Sequence, residues 1–163
     1  LNDDLVGNNM YGINFTIFGL QERIRRASIS VLLLRRILRE VAKHYPYEIC
    51  GLLSGRVKGD EAHIMNAVPL TNVKGNGSKF WFDVKEWMIK IIREARAGRT
   101  YLGIYHSHPN SSVIPSLNDR HRMLECPEEL WLIISYDGVK YSWSLWRIDD
   151  SNSSLFKVEL KVK

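Results

Sequence analysis

The chain predicts a mixed α/β (α+β) domain in which strands, several of them paired in hairpins, are interspersed with two longer helices and a short third one. Three observations carry this reading. Two stretches repeat apolar residues at helical spacing, others alternate or run apolar over strand lengths, and turn residues punctuate the junctions. A length of 163 residues suits one domain with a proper core, and 45% hydrophobic against 25% charged residues is a globular balance.

Residues 1–10, "LNDDLVGNNM", read as a loose terminus. In "YGINFTIF", Ile13, Phe15 and Ile17 alternate, a strand signal over residues 11–18. A helix is expected from Ser28 or Ser30 to about Tyr45, with Leu34, Ile37, Leu38 and Val41 on its apolar face and Pro46 just past its end. "EICGLLSGRV" and "EAHIMNAVPL", separated by "KGD", read as a hairpin. Residues 71–79 form a Gly/Asn-rich loop, and residues 80–82 a short strand. Asp83 then caps a second long helix, with Glu86 as its capping-box partner and Gly98 as its stop. Trp87, Met88, Ile91, Ile92 and Ala95 make its buried face. "TYLGIYHSH" is a strand, "SLNDRHRMLE" a short helix ended by Pro127, and "ELWLIISY", "VKYSWSLWRI" and "LFKVELKV" three further strands. The first two of these are joined by the turn "YDGV".

Composition narrows the function classes. No apolar run approaches the roughly 18 residues of a membrane span, and no basic-then-apolar leader points to secretion. Cys50 and Cys126 are too few for a disulfide framework and read as two buried thiols in a reducing, cytoplasmic compartment, with a bridge left open. The net charge of +5 is mild, and much of it lies between Arg23 and Lys43. A solvated helix face is preferred there to a nucleic-acid surface, because no RNA- or DNA-binding signature accompanies it.

The chemistry concentrates in "YHSHPNSSVIPSLNDRH". Residues i and i+2 of a strand share a side, so Leu102, Ile104, His106 and His108 are expected on one face, the first two anchored in the core. If residues 109–115 fold back, Asp119 on the following helix becomes a third ligand. Two nitrogens and one carboxylate oxygen suit zinc and leave a fourth position for water, the pattern of a catalytic site. Ser116 and Asp119 also read as an ordinary helix cap, and that reading is compatible with the metal one. His44, His63 and His121 are taken as surface or satisfied histidines. A zinc hydrolase further needs a proton carrier, for which Glu48, at the start of an apolar strand, is the candidate.

Together, Glu48 in "EICGLL", His106 to Pro109 in "HSHP" and Ser116 to Asp119 in "SLND" resemble the signature of the JAMM/MPN+ (Mov34/PAD-1) metalloprotease family. The resemblance runs from about Ser28 to about Ile148. It implies an MPN/JAMM-like fold with a mixed curved sheet, a catalytic domain over residues 28–163 and an N-terminal extension over residues 1–27. It implies one Zn²⁺ per chain on His106, His108 and Asp119, Glu48 as proton shuttle, and Ser116 as donor to the oxyanion or to the metal's water. The activity implied is hydrolysis of the isopeptide or peptide bond that follows the C-terminus of a ubiquitin-like protein. The alternative is a non-enzymatic MPN-type scaffold module in a larger complex. An extended substrate tail would add along residues 72–82, with Phe80 and Trp81 lining the groove, although both could equally be core aromatics. Only "RHRMLECPEE" separates Asp119 from the next strand, which favours a compact enzyme acting on a small modifier. Residues 11–18 could pair with a neighbour's sheet, which leaves a homodimer open.

Overall fold

The computed structural model describes residues 24–73, 81–149 and 151–163. The strand expected over residues 11–18, most of the loop at 71–79, and Phe80 lie outside the described residues. In chain order the elements are β1 (Arg26–Ile29), α1 (Val31–His44), β2 (Cys50–Lys58), β3 (Glu61–Leu70), α2 (Val84–Arg96), β4 (Thr100–Pro109), α3 (Leu117–Glu125), β5 (Leu130–Tyr136), β6 (Tyr141–Ile148) and β7 (Leu155–Val162). The mixed α+β architecture, with two longer helices and a short one, is therefore present.

The sheet curves far enough to close. The strands run β1-β3-β2-β4-β5-β6-β7, and β1 pairs in parallel with both β3 and β7. Closure leaves none of these strands as a free edge over its whole length. Strand β1 was not expected. Four residues, "RASI", carry too little alternation to announce a strand, and β1 exists because β3 and β7 both offer it backbone partners. It also decides the start of α1: Ser28 lies in β1, and Ser30 is the N-cap, its hydroxyl accepting the Leu33 N–H at 3.1 Å.

Two apolar layers follow. Inside, Leu34, Ile37 and Val41 of α1 pack with Leu53, Leu102, Tyr105, Leu132 and Ile134, so the basic helix joins this layer through its apolar stripe. Outside, Leu52, Ile104 and Trp131 are covered by Ile91 of α2 and Met123 of α3. Strand β4, buried on both faces, is the middle of this sandwich.

Two local expectations are corrected. Leu102 does not share a face with Ile104 and the histidines: it belongs to the inner layer and Ile104 to the outer. The pairing of β2 with β4 shifts between Leu53 and Ser54, which adds one residue to β4 and reverses its alternation there. Gly103 makes this possible, with φ 145° and the Leu130 carbonyl 2.0 Å from where a Cβ would stand. In α2, Asp83 caps as expected, accepting the Glu86 N–H at 2.9 Å. The Glu86 carboxylate, however, accepts from Thr71 N–H at 3.0 Å and Lys90 Nζ at 2.5 Å, so it is committed to the loop before α2 and to its own next turn. Gly98, at φ 73°, follows the C-cap Ala97 and ends the helix.

Candidate metal centre

The outer face of β4 carries the site. Past Gly103 the alternation is regular, so Ile104, His106 and His108 point outward together, away from Tyr105 and Ser107. The loop between β4 and α3 folds back, as Asp119 would require, and is pinned along its length. Asn110 N–H donates to the Tyr136 carbonyl at 3.0 Å, Ser135 Oγ to the Ser111 carbonyl, and Trp146 Nε1 to the Val113 carbonyl at 2.7 Å. Ser116 then caps α3 in a full capping box: its Oγ accepts the Asp119 N–H at 3.2 Å, and Asp119 Oδ2 accepts the Ser116 N–H at 2.7 Å. The cap thereby orients the carboxylate toward the histidines.

The three ligand candidates converge. His106 Nε2 and His108 Nε2 are 2.8 Å apart, and Asp119 Oδ1 and Oδ2 stand 3.3 Å from His106 Nε2 and His108 Nε2 respectively. All three residues are buried, and their ligand atoms lie within 4.8 Å of one another. Each imidazole has its far side occupied: His108 Nδ1 meets the Ser112 carbonyl at 2.7 Å, and the His106 ring packs edge-on against Trp131 at 5.7 Å. A nitrogen bonded to a carbonyl must carry its proton there, which leaves His108 Nε2 as an electron-pair donor when the ring is neutral. Two imidazole nitrogens and a carboxylate facing one another out of water call for a cation among them, and this donor set fits a divalent metal ion.

The protonation tendencies follow from the same crowding. Burial lowers the pKa of His106 and outweighs Asp119. Burial acts in the same direction on His108, but Asp119, the Ser112 carbonyl and Glu48 overcome it, so His108 is raised. Burial would raise Asp119, yet hydrogen bonds from both histidines hold it well below the usual carboxylate range.

Glu48 sits at the rim, two residues before β2, with its side chain half-buried. Burial pushes its carboxyl up to about 7, His108 pulls it back, and Asp119 adds to the rise. Its segment runs beside the histidine strand, with the Ile49 N–H on Ser107 Oγ at 2.9 Å and Cys50 opposite His106. Ser116, at the start of α3, is exposed, with its oxygen accepting the Asp119 N–H and its hydroxyl proton still to be donated.

Residues outside the expected set also shape the centre. Ser107, between the two histidines, is 1% exposed and accepts the Ile49 N–H at 2.9 Å, tying the histidine strand to the Glu48 segment. Asn72 reaches the Glu48 carbonyl at 2.9 Å. Trp81 lies under the Arg122 guanidinium, 3.3 Å from ring centre to Cζ, and stacks on Phe82 at 4.6 Å. The sequence singled out Trp81 and the segment 72–82, but not the bonds of Ser107 and Asn72 to the Glu48 segment or the place of Trp81 under Arg122, because these contacts join segments far apart in the chain. His121 is exposed and His44 is exposed, as expected. His63 Nδ1 meets Ser28 Oγ at 2.9 Å and Glu61 at 3.7 Å, and because both partners address one nitrogen this is no hydrolytic triad. Cys50 and Cys126 are free thiols, and burial pushes them up to about 12 and about 11, too high for a thiolate nucleophile at neutral pH.

The model of the prokaryotic homologs of the JAB domain matches residues 30–149. The chain belongs to this family. Among curated relatives, the JAB-domain chain is 35% identical over 94 residues to the desampylase of Haloferax volcanii, covering 57% of this chain and 66% of that protein. It is 32% identical over 113 residues to the desampylase of Pyrococcus furiosus, covering 69% of this chain and 76% of that one. The chain thus spans slightly under two thirds of the first relative's length. A solution structure of a protein from Desulfitobacterium hafniense matches with TM-score 0.75 and 27% identity, over 84% of this chain and 92% of that one. A second, from Salinibacter ruber, shares the fold at TM-score 0.64 and 22% identity, over 84% and 91% of the two chains. Membership in the JAB/MPN family accords with the motif resemblance and with the mixed sheet. No helix among the described residues is long and apolar enough to cross a membrane.

Proposed function

We propose that this chain is a zinc-dependent isopeptidase that hydrolyses the bond following the C-terminus of a small ubiquitin-like protein modifier. The observation that carries the reading is the buried convergence of His106, His108 and Asp119, with the Glu48 segment bonded to the histidine strand through Ile49 and Ser107. Two relatives are named desampylases, and a name for the removal of a modifier supports a modifier conjugate as the substrate class here.

In this reading His106, His108 and Asp119 hold the ion. Zinc, when bound, supplies Lewis-acid polarisation of the scissile carbonyl and acidifies water toward neutrality. Glu48 takes the proton of the attacking water and passes it to the leaving amine. A carboxyl tuned near 7 can do both, since its pKa lies close to the working pH. Ser116 Oγ–H, whose oxygen accepts the Asp119 N–H of the helix cap, donates its proton to the developing oxyanion.

The test incubates the protein with a panel of ubiquitin-like conjugates, with and without a chelator. Cleavage should stop on chelation and return with added zinc. Glu48→Gln should abolish cleavage while zinc stays bound at about one per chain. A wild-type rate in that variant would remove the mechanism. Freshly prepared protein that holds no zinc and cleaves nothing would favour the scaffold reading.

A further inference from the structure

Glu48 lies beyond the regular ladder, because β2 begins at Cys50. A proton carrier there needs something other than sheet pairing to hold it. On one flank its neighbour Ile49 is gripped by β4, donating its N–H to Ser107 Oγ at 2.9 Å and accepting the Ser107 N–H at 3.0 Å. On the other flank the partner is a side chain. Asn72 Nδ2 donates to the Glu48 carbonyl at 2.9 Å, while Asn72 Oδ1 accepts the Trp81 N–H at 3.1 Å. The backbone of the same residue bridges Phe82, and the Val73 N–H donates to the Trp81 carbonyl at 2.8 Å. The amide is thus used at both ends. It joins the Glu48 segment to the segment whose Trp81 lies under Arg122 of α3, the helix that also carries Asp119.

We infer that Asn72 is a positioning residue for Glu48: its amide holds the Glu48 carbonyl and the Trp81 N–H together and so sets the carboxyl relative to His106, His108 and Asp119. The chemistry selects asparagine. One short planar group must present a donor and an acceptor in opposite directions, which serine, aspartate and the aliphatic residues do not do at this reach. Among the described residues Glu48 has no ladder partner of its own to substitute for this bond, and a displacement of about 1 Å at a catalytic group costs up to about a hundredfold in rate. The inference rests on the proposed role of Glu48.

The test compares wild type, Asn72→Ala, Asn72→Asp and Glu48→Gln on one cleaved conjugate, with zinc content and Tm measured on each. Asn72→Asp keeps the acceptor for the Trp81 N–H and sets an oxygen against the Glu48 carbonyl in place of the donor, so it breaks the inferred contact while sparing the bond to Trp81. Both Asn72 variants should lose about tenfold or more in kcat with KM within about twofold, zinc at one per chain and Tm close to wild type. Wild-type kcat in Asn72→Asp would overturn the inference. So would a loss confined to KM, or a loss that tracks missing zinc and lowered Tm, since the asparagine would then serve substrate binding or the fold. Glu48→Gln separates the two levels. Inactive Glu48→Gln beside fully active Asn72 variants removes the positioning role alone, whereas an active Glu48→Gln removes the proton-carrier reading beneath it.

Discussion

At the scale of single residues, what distinguishes the centre is that its charges are compensated from within the fold. His108 is the sensitive member. Its raised pKa means that protons and a metal ion compete for the same nitrogen, so zinc affinity should fall as pH drops, the binding releasing a proton on the acid side. Calorimetric titration at several pH values in buffers of different ionisation heat would measure that release. Glu94 is an unexpected second case: a buried glutamate on the core side of α2. Burial would raise its pKa, but Arg99 at 2.5 Å, Ser54 at 2.5 Å and Asn66 at 3.1 Å outweigh that and hold it below its ordinary 4.5. A carboxyl with a depressed folded pKa stabilises the fold above its unfolded pKa, and the contribution is lost as pH falls through the folded value. Glu94→Ala should therefore cost about 2–4 kcal/mol near pH 7, because it strands Arg99, Ser54 and Asn66, and the deficit should shrink below about pH 4.5. Urea denaturation at pH 7 and pH 4 would check both the size and the trend.

At the scale of elements, β4 and α3 each do two things at once. The extra residue of β4, Leu102 beside Gly103, reverses its alternation so that Tyr105 faces inward while His106 and His108 face α3. Gly103→Ala would drive a Cβ into the Leu130 backbone, which cannot move as a side-chain end can. A loss of about 3 kcal/mol or more is expected, together with loss of zinc, because the histidines lie three and five residues downstream. In α3 the helix cap and the proposed oxyanion donor are the same hydroxyl. Ser116→Ala should cost about 1 kcal/mol as a lost cap. Ser116→Asp keeps a good cap but has no proton to donate at neutral pH, so it should retain Tm and still lose kcat. A melting curve alongside single-turnover rates separates the two roles.

At the scale of the whole molecule, the direct pairing of β2 with β4, Cys50 opposite His106, sets the start of β2 beside the histidine end of β4, with Glu48 two residues before it. An ion held by the proposed centre would tie α3 to that ladder through Asp119. Removing it should leave the barrel folded but loosen α3 and the loop before it. At a zinc concentration about a hundredfold above its Kd, binding adds about 2.7 kcal/mol to stability, so chelation should lower Tm by several degrees. Hydrogen exchange should rise in residues 110–125 on chelation and change little in β2, β4 and β5.

Much was readable from the chain alone because it is encoded locally. The helical stripes of α1 and α2, the hairpins β2–β3 and β5–β6, the capped start of α3 and the chemistry of "HSHP" with "SLND" all lie within segments whose periodicity or spacing carries the information. The set of His106, His108 and Asp119 was likewise visible as residue types at a suggestive spacing, and the fold-back of the intervening loop brings them together. What only the tertiary structure decided are the pairings between distant segments: β1 between β3 and β7, the closure of the sheet, Glu94 buried with Arg99 and Ser54, and Asn72 on the Glu48 carbonyl. Such contacts leave no periodic trace, because a hydrogen bond between residues far apart in sequence constrains one position in each segment and nothing around it.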